Sequence, residues 1–312
     1  MPAVGQDSRG RRSGSYHPTR DERNRNLQSQ YAAKEERLKR DYYRNVQQGI
    51  IETFNADDTT LEHLITDGGT SWVFLGRSEK SGKNVVVKVM KRFLEITNNT
   101  ALNVLADHPD IMAHEAKALA GITSDHVVSV YSHGIVAGRP YMIVEAVETP
   151  PGFPNLDALL MHYRTFEPEP LPQAIMPSAR MVHDILLGVR DIHHSGRLHR
   201  DLKPTNIIVD VNGAIKLCDL GIAATMDHDG VYPGSTHGSM TYSAPEAFRG
   251  VGCYVPQSDI YSLGLIMARV LDPSIYAVPS VDFGHDDGGH KGQVAAFAAK
   301  VPAQYRDVVR HC

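Results

Sequence analysis

Cysteine is scarce: Cys218, Cys253 and Cys312 stand far apart in a chain of 312 residues. Such spacing offers neither a disulfide framework nor a paired metal site, and it fits a reducing compartment. The sixteen histidines form no H-E-x-x-H or Cys/His cluster, so no structural zinc is expected. Long apolar runs are missing as well. The longest, Leu263 to Leu271, is interrupted by Gly264 and Arg269 and falls short of the ~18 residues a membrane span requires. Residues 1–20 are polar and Arg-rich with no apolar centre, so no secretory leader is expected. Pro2 argues against myristoylation, and Cys312, as the last residue, cannot open a prenylation box. A soluble, cytoplasmic protein is the expectation.

What is present is ordinary globular composition, 42% hydrophobic and 22% charged, with 26 Gly and 18 Pro scattered without a period. This excludes wholesale disorder and low complexity, and the length allows about two compact units. Charge is uneven. Residues 1–50 hold eleven Lys/Arg against six Asp/Glu, whereas the whole chain carries −4. A solvated basic arm accounts for this, and the lack of interleaved aromatic and basic residues argues against nucleic acid as a partner.

Along the chain, Ser, Arg, Asn and Gly up to about Asn26 predict a mobile tail. Leu27, Tyr31, Leu38, Tyr42 and Val46 then form a narrow apolar stripe on a charged helix, expected to dock on its neighbour. Short β-like runs follow, Trp72–Leu75 and Val85–Val89, around a turn-rich segment from Arg77 to Asn84. A helix opening at His108-Pro109-Asp110 ends at Gly121, and strands are expected at Val127–Tyr131 and Tyr141–Val147. The prolines of Thr149–Pro154 mark a domain boundary. Beyond it come helical periodicity over Pro177–Ser195, a hairpin of Ile207–Val209 and Ala214–Leu217 about Asn212-Gly213, and a helix over Ile260–Leu271 that is apolar nearly all round. Gly284–Gly292 reads as a surface loop.

Two charges sit where burial makes them costly. Lys88 interrupts a Val-rich strand, and Glu115 shares a helical stripe with Ile111 and Leu119. Pairing Lys88 with Glu115 resolves both. Further on stand His199-Arg200-Asp201-Leu202-Lys203-Pro204-Thr205-Asn206, then Asp219-Leu220-Gly221 eighteen residues after Asp201, then Ala244-Pro245-Glu246.

In that order these clusters resemble the catalytic loop, metal-binding triplet and activation-segment end of eukaryotic-type protein kinases, Ser/Thr subclass. The resemblance implies an α+β, two-lobed fold with a small antiparallel β-rich N-lobe over residues 59–148 and a larger, mainly helical C-lobe over 149–312, after an arm over 1–58. It implies ATP and Mg²⁺ as cofactors and a protein Ser/Thr hydroxyl as acceptor. In the implied roles, Asp201 handles the acceptor proton, Lys203 balances γ-phosphate charge, Asn206 and Asp219 hold metal, and Lys88 touches the α- and β-phosphates while paired with Glu115. Gly68, Gly69 and Val73 would cover the phosphates. Val144 would be the gatekeeper, with Glu145 and Val147 offering backbone groups to adenine.

The Gly-rich loop departs from the family pattern. Thr66, Gly68 and Ser71 stand where three glycines are expected, with Gly69 beside the middle one. Gly238-Ser239-Met240-Thr241-Tyr242 resembles the Ser/Thr-type activation segment, Arg200 implies pairing with a phosphorylated loop residue, and Ser235, Thr236 and Thr241 are candidates for autophosphorylation. Asp259 resembles the buried-helix aspartate that braces the catalytic loop. Glu246 would pair with a late arginine, for which Arg306 and Arg310 are the candidates, and Cys218 is expected to pack rather than react. A nucleotide-binding scaffold without turnover is the first rival reading, motivated by the poor Gly-rich loop. A small-molecule kinase is the weaker one, because Lys203, Pro204 and the Ala-Pro-Glu segment are present.

Overall fold

The computed structural model describes residues 20–68, 71–91, 111–165, 179–220, 241–244, 246 and 254–272. The chain separates into two units, residues 1–50 and 51–312. The charged segment with its narrow apolar stripe does form a helix, α1 (Arg20–Thr53), which starts inside the stretch expected as a tail. Its exposed surface carries Asp41 between Arg37 at 4.0 Å and Arg44 at 3.8 Å, one turn away on either side. Such pairs add only about 0.3–0.5 kcal/mol each. Leu38 and Tyr42, two members of the predicted apolar stripe, are exposed.

The second unit opens with a five-stranded antiparallel sheet in the order β1-β2-β3-β5-β4, made of β1 (Thr59–Asp67), β2 (Ser71–Ser78), β3 (Asn84–Met90), β4 (Val130–Val136) and β5 (Arg139–Glu145). The Val- and aromatic-rich runs form the central strands β2 and β3 because alternate side chains fill both faces. Trp72, Phe74, Val87 and Val89 are fully buried on one, while Val73, Leu75, Val86 and Lys88 lie on the other. Register then fixes Lys88 opposite Val73 on one side and Met142 on the other. The connection before β1 is tied down too. Phe54 meets Tyr141 edge to face at 5.3 Å, and Asp57 accepts hydrogen bonds from Tyr141 Oη at 2.6 Å and Ser132 Oγ at 2.8 Å. Burial and the Asp57 hydrogen bond push the Tyr141 phenol up to about 12.

Helix α2 (Ile111–Ala120) packs on β4 and β5, with Ala116 and Leu119 buried. After β5 the Pro-rich segment takes neither helix nor strand, as expected. Helices α3 (Leu156–Thr165), α4 (Ala179–His194) and α5 (Pro256–Leu271) follow, with the short hairpin of β6 (Ile207–Val209) and β7 (Ile215–Leu217) between the last two. Asn155 Oδ1 accepts from the Ala158 amide and so opens α3, while Pro256 sits in the first turn of α5. The hairpin turn runs through Gly213 at φ +80°, a conformation open to glycine without a Cβ penalty.

One apolar core joins sheet and helices, running from Met90, Leu119 and Met142 through Leu156 and Ile185 to Leu217 and Ile266. At about 1.5–3 kcal/mol per fully buried large aliphatic side chain, this cluster is the main stabilising term. Every residue of α5 from Ser262 to Val270 is buried, which explains its lack of a polar face. The core is stitched across its middle by backbone bonds. Leu217 N–H donates to His126 O at 2.8 Å, Val128 N–H to Leu217 O at 2.9 Å, and Val211 N–H to Glu148 O at 3.0 Å. Consequently the strand-rich and helical parts of this unit hold the two ends of one site.

Candidate active site

The segment between α4 and β6 carries a dense polar cluster. Asp201 Oδ2 accepts from Lys203 Nζ at 2.7 Å and from Asn206 Nδ2 at 3.2 Å, and Asn206 Nδ2 also donates to Asp201 O at 2.9 Å. The amide end of Asn206 is thereby turned inward, so its carbonyl oxygen faces away from Asp201. Pro204 lies at the start of the 3₁₀ turn Pro204–Asn206 that creates this geometry, and the Cys218 amide donates to Asn206 O at 3.0 Å. Cys218 Sγ donates to the same oxygen at 3.4 Å, so the thiol is held in packing as expected.

Behind the loop stands Asp259, 1% exposed, on the first turn of α5. Its Oδ1 accepts from the Arg200 amide at 2.9 Å, and its Oδ2 from the His199 amide at 2.8 Å and faces His193 Nε2 at 2.8 Å. The expected brace is therefore present, and His193 joins it. Arg200 is held at φ +66°, a left-handed conformation costing a non-glycine residue about 1–3 kcal/mol unless its surroundings impose it. The two amide bonds to a buried carboxylate supply that constraint. The Arg200 guanidinium is buried and lies 4.3 Å above the Tyr254 ring. Of the phosphate acceptors assigned to it, Ser235 and Thr236 lie outside the described residues, and Thr241 is exposed.

Asp219, at φ +64°, reaches the sheet: Lys88 Nζ donates to its Oδ1 at 2.6 Å. Lys88 holds the Asp219 carboxyl below the usual carboxylate range, opposed by burial and aided by Lys203 and His199. The carboxylate is thus ionised throughout the physiological range while its side chain keeps 45% exposure. Glu115 is on α2 as its stripe requires, but its side chain lies outside the described residues, and with it the expected pair to Lys88.

The turn between β1 and β2 approaches from the sheet side. Gly68 is tight: a Cβ there would come within 2.9 Å of Ser71 O, so this position needs glycine for space. Thr66 is exposed and Ser71 buried, while Gly69 lies outside the described residues. Val73 is opposite Lys88, and Val144 is buried at the end of β5. The Glu145 amide donates to Ser129 O at 2.8 Å and its carboxylate pairs with Lys216 at 3.0 Å. Glu145 therefore has only its carbonyl to turn toward a purine, and Val147 is half-buried just beyond.

These positions coincide with a known sequence pattern. Residues 59–278 match the protein kinase domain family. The chain belongs to that family. It is 31% identical over 231 residues to a serine/threonine-protein kinase, drp72, of Corynebacterium efficiens, covering 73% of this chain and 41% of that protein. It is 28% identical over 218 residues to the serine/threonine-protein kinase PknL of Mycobacterium tuberculosis (68% and 48%), and 27% over 209 residues to the serine/threonine-protein kinase PrkC of Bacillus subtilis (67% and 29%). The chain spans less than half the length of these curated relatives.

The kinase domain contains anchoring residues that motif reading did not single out. Arg269, 6% exposed in α5, donates to the Tyr242 hydroxyl and, at 3.0 Å, to Asp157 Oδ1 of α3. Ser262 Oγ donates to Tyr242 O at 2.7 Å, and Ser258 Oγ to Glu246 Oε1 at 2.8 Å. The end of the activation segment is thus fastened to α5. Ser258 is a described partner of Glu246, whereas the arginines proposed for it, Arg306 and Arg310, lie outside the described residues. The signal for Arg269 was in the sequence: a lone guanidinium inside an apolar helix, anomalous for the same reason as Lys88.

Proposed function

We propose that this chain is a Ser/Thr protein kinase domain that moves the γ-phosphoryl of Mg-ATP to a protein hydroxyl, with lobes over 59–148 and 149–312. The observation that carries the reading is the 2.6 Å link from Lys88 to Asp219 beside the hydrogen-bonded set Asp201, Lys203 and Asn206. A cation from the sheet, two carboxylates and an amide converge as phosphoryl transfer requires. Three scattered cysteines fit the reducing cytoplasm that the proposal assigns, and among the described residues no helix is long and apolar enough to cross a membrane.

The donor set suits a hard divalent cation. Asp219 is ionised and partly exposed, and Asn206, with its NH₂ spent on Asp201, has its carbonyl oxygen for a metal. Bound Mg-ATP would supply the phosphoryl group and neutralise charge on its oxygens. Asp201 orients the acceptor hydroxyl and takes its proton. Lys203, already bonded to that carboxylate, moves its charge between Asp201 and the transferred group. Asp219 would hold the metal and Lys88 would face the phosphates of bound nucleotide, and Gly68 lets the turn backbone come close. Lys203 and the Gly-Ser-Met-Thr-Tyr segment favour Ser/Thr over Tyr as acceptor, and the exposed Thr241 is a site for autophosphorylation.

The test is transfer of labelled phosphate from Mg-ATP to the chain itself and to a generic basic protein, beside Asp219→Ala. Label on phosphoserine or phosphothreonine that vanishes in the variant is expected. Mg-dependent ATP binding with no label would instead identify a nucleotide-binding scaffold.

A further inference from the structure

The turn between β1 and β2 keeps Gly68 but carries Thr66 and Ser71 where the family pattern has its outer glycines, and it is fastened from behind. Lys91, the first residue after β3, sends its ammonium to the start of this turn, donating to Gly68 O at 2.5 Å and pairing with the Asp67 carboxylate. The lysine side chain is 9% exposed. Its Nζ lies 5.6 Å from the centre of the Trp72 ring, and the Arg139 guanidinium lies 5.3 Å from the same ring. Arg139 in turn donates to Met90 O at 3.4 Å, next to Lys91 in sequence. Trp72, fully buried, pairs with Asp67 on β1 and Val89 on β3, so the register brings all these groups to one end of the sheet.

We propose that Lys91 is a positioning residue for the phosphate-facing turn, holding it in place through Asp67 and Gly68 where other turns rely on glycine and on the ligand. The inference rests on reading this turn as the nucleotide clamp. A glycine-rich turn is ordered when phosphate arrives, and that ordering subtracts from affinity. A charge-assisted bond to the turn carbonyl and an ion pair from a buried ammonium to Asp67 set the turn beforehand. The indole beside the ammonium and the burial of the lysine side chain leave the ammonium few other places to go.

Lys91→Met keeps the stem on Trp72 and removes the charge. In the full chain it should raise the KM for ATP about five- to tenfold, with kcat within about twofold and the acceptor KM unmoved. Asp67→Asn should do the same, the double variant should be no worse than either single one, and Lys91→Arg should restore most of the loss. Trp72 is the sole tryptophan, so its emission should shift in Lys91→Met before any nucleotide is added. An unchanged emission together with an unchanged ATP KM overturns the proposal, as does a lowered melting temperature with ATP KM unmoved. Should the parent chain transfer no phosphate, the kinase reading fails on its own. The positioning role is then decided by the Mg-ATP Kd followed through Trp72, with a five- to tenfold weakening in Lys91→Met supporting it and equal affinity refuting it.

Discussion

Replacing Asp259 by Asn tests how the catalytic loop is held. The carboxylate serves two buried amides, those of His199 and Arg200, at 2.8 and 2.9 Å, and is itself 1% exposed. An asparagine fills the same volume but can offer an oxygen to only one of them; the other amide then faces an NH₂ group. A hydrogen bond to a charged acceptor contributes about 1.5–3 kcal/mol, and a buried N–H left unmet adds a cost of about 1–3 kcal/mol. These two overlap, and water can relieve part of the loss, so about 2–4 kcal/mol of destabilisation is expected. With a urea m-value of roughly 2 kcal/mol/M, the midpoint should fall by roughly 1–2 M. The function should suffer beyond that. Arg200 is held in its left-handed conformation next to Asp201, so relaxation at Arg200 displaces the base, and a misplacement of about 1 Å can cost about 100-fold in rate. The assays are urea unfolding followed by circular dichroism and phosphate transfer at a temperature where the variant is fully folded. A midpoint within about 0.3 M of the parent with an unaltered transfer rate would refute the brace.

Three further outcomes follow from other contacts. Gly188 sits mid-helix in α4, where Ala would add about 1 kcal/mol by propensity, but the new Cβ would lie 2.8 Å from Leu217 Cδ1 and 3.0 Å from His126 O. Overpacking against a backbone carbonyl costs about 1–3 kcal/mol and should win, so Gly188→Ala should lower thermal stability; a raised melting temperature would show that the β7 contact yields. Asp219 has its folded-state pKa depressed by Lys88, so its contribution to stability is complete above the ordinary Asp value of about 3.9 and is lost as pH falls through the depressed value. Asp219→Asn should therefore be less stable than the parent at pH 7, with the gap closing only in acid below about pH 4. A gap constant over that range, in melting temperature against pH, would contradict the pairing. Tyr242→Phe removes one acceptor from the buried Arg269 guanidinium and should cost about 1–2 kcal/mol by urea unfolding, because Asp157 still compensates the charge.

Much of this protein was legible before any coordinates. The strands around Lys88 follow from short β-branched and aromatic runs, the hairpin from the Asn212-Gly213 turn signal and the helix over Ile260–Leu271 from the length of its apolar run, all of which act locally. The motif around Asp201 named the chemistry because phosphoryl transfer tolerates few residue types at these positions. The start of α1 at Arg20 is not legible in the sequence, since a run of charged residues without an apolar stripe looks the same as a tail.

Sequence alone therefore marks Lys88 and Glu115 as charges where burial makes charge costly and, by the same logic, Arg269, while Asp259 is marked by the family resemblance. It could not choose their partners. Lys88 and Asp219 are 131 residues apart and His199 and Asp259 are 60 apart, so their meeting depends on how strands and helices pack around one core. The Lys91 contact to Gly68 is the clearest case. Both residues lie on chain segments whose patterns are complete without the other, and only the register of β1 and β3 on either side of β2 brings an ammonium to that carbonyl. A pairing interaction is a property of distance in space, and hydrophobic burial, which fixes those distances, is indifferent to order along the chain.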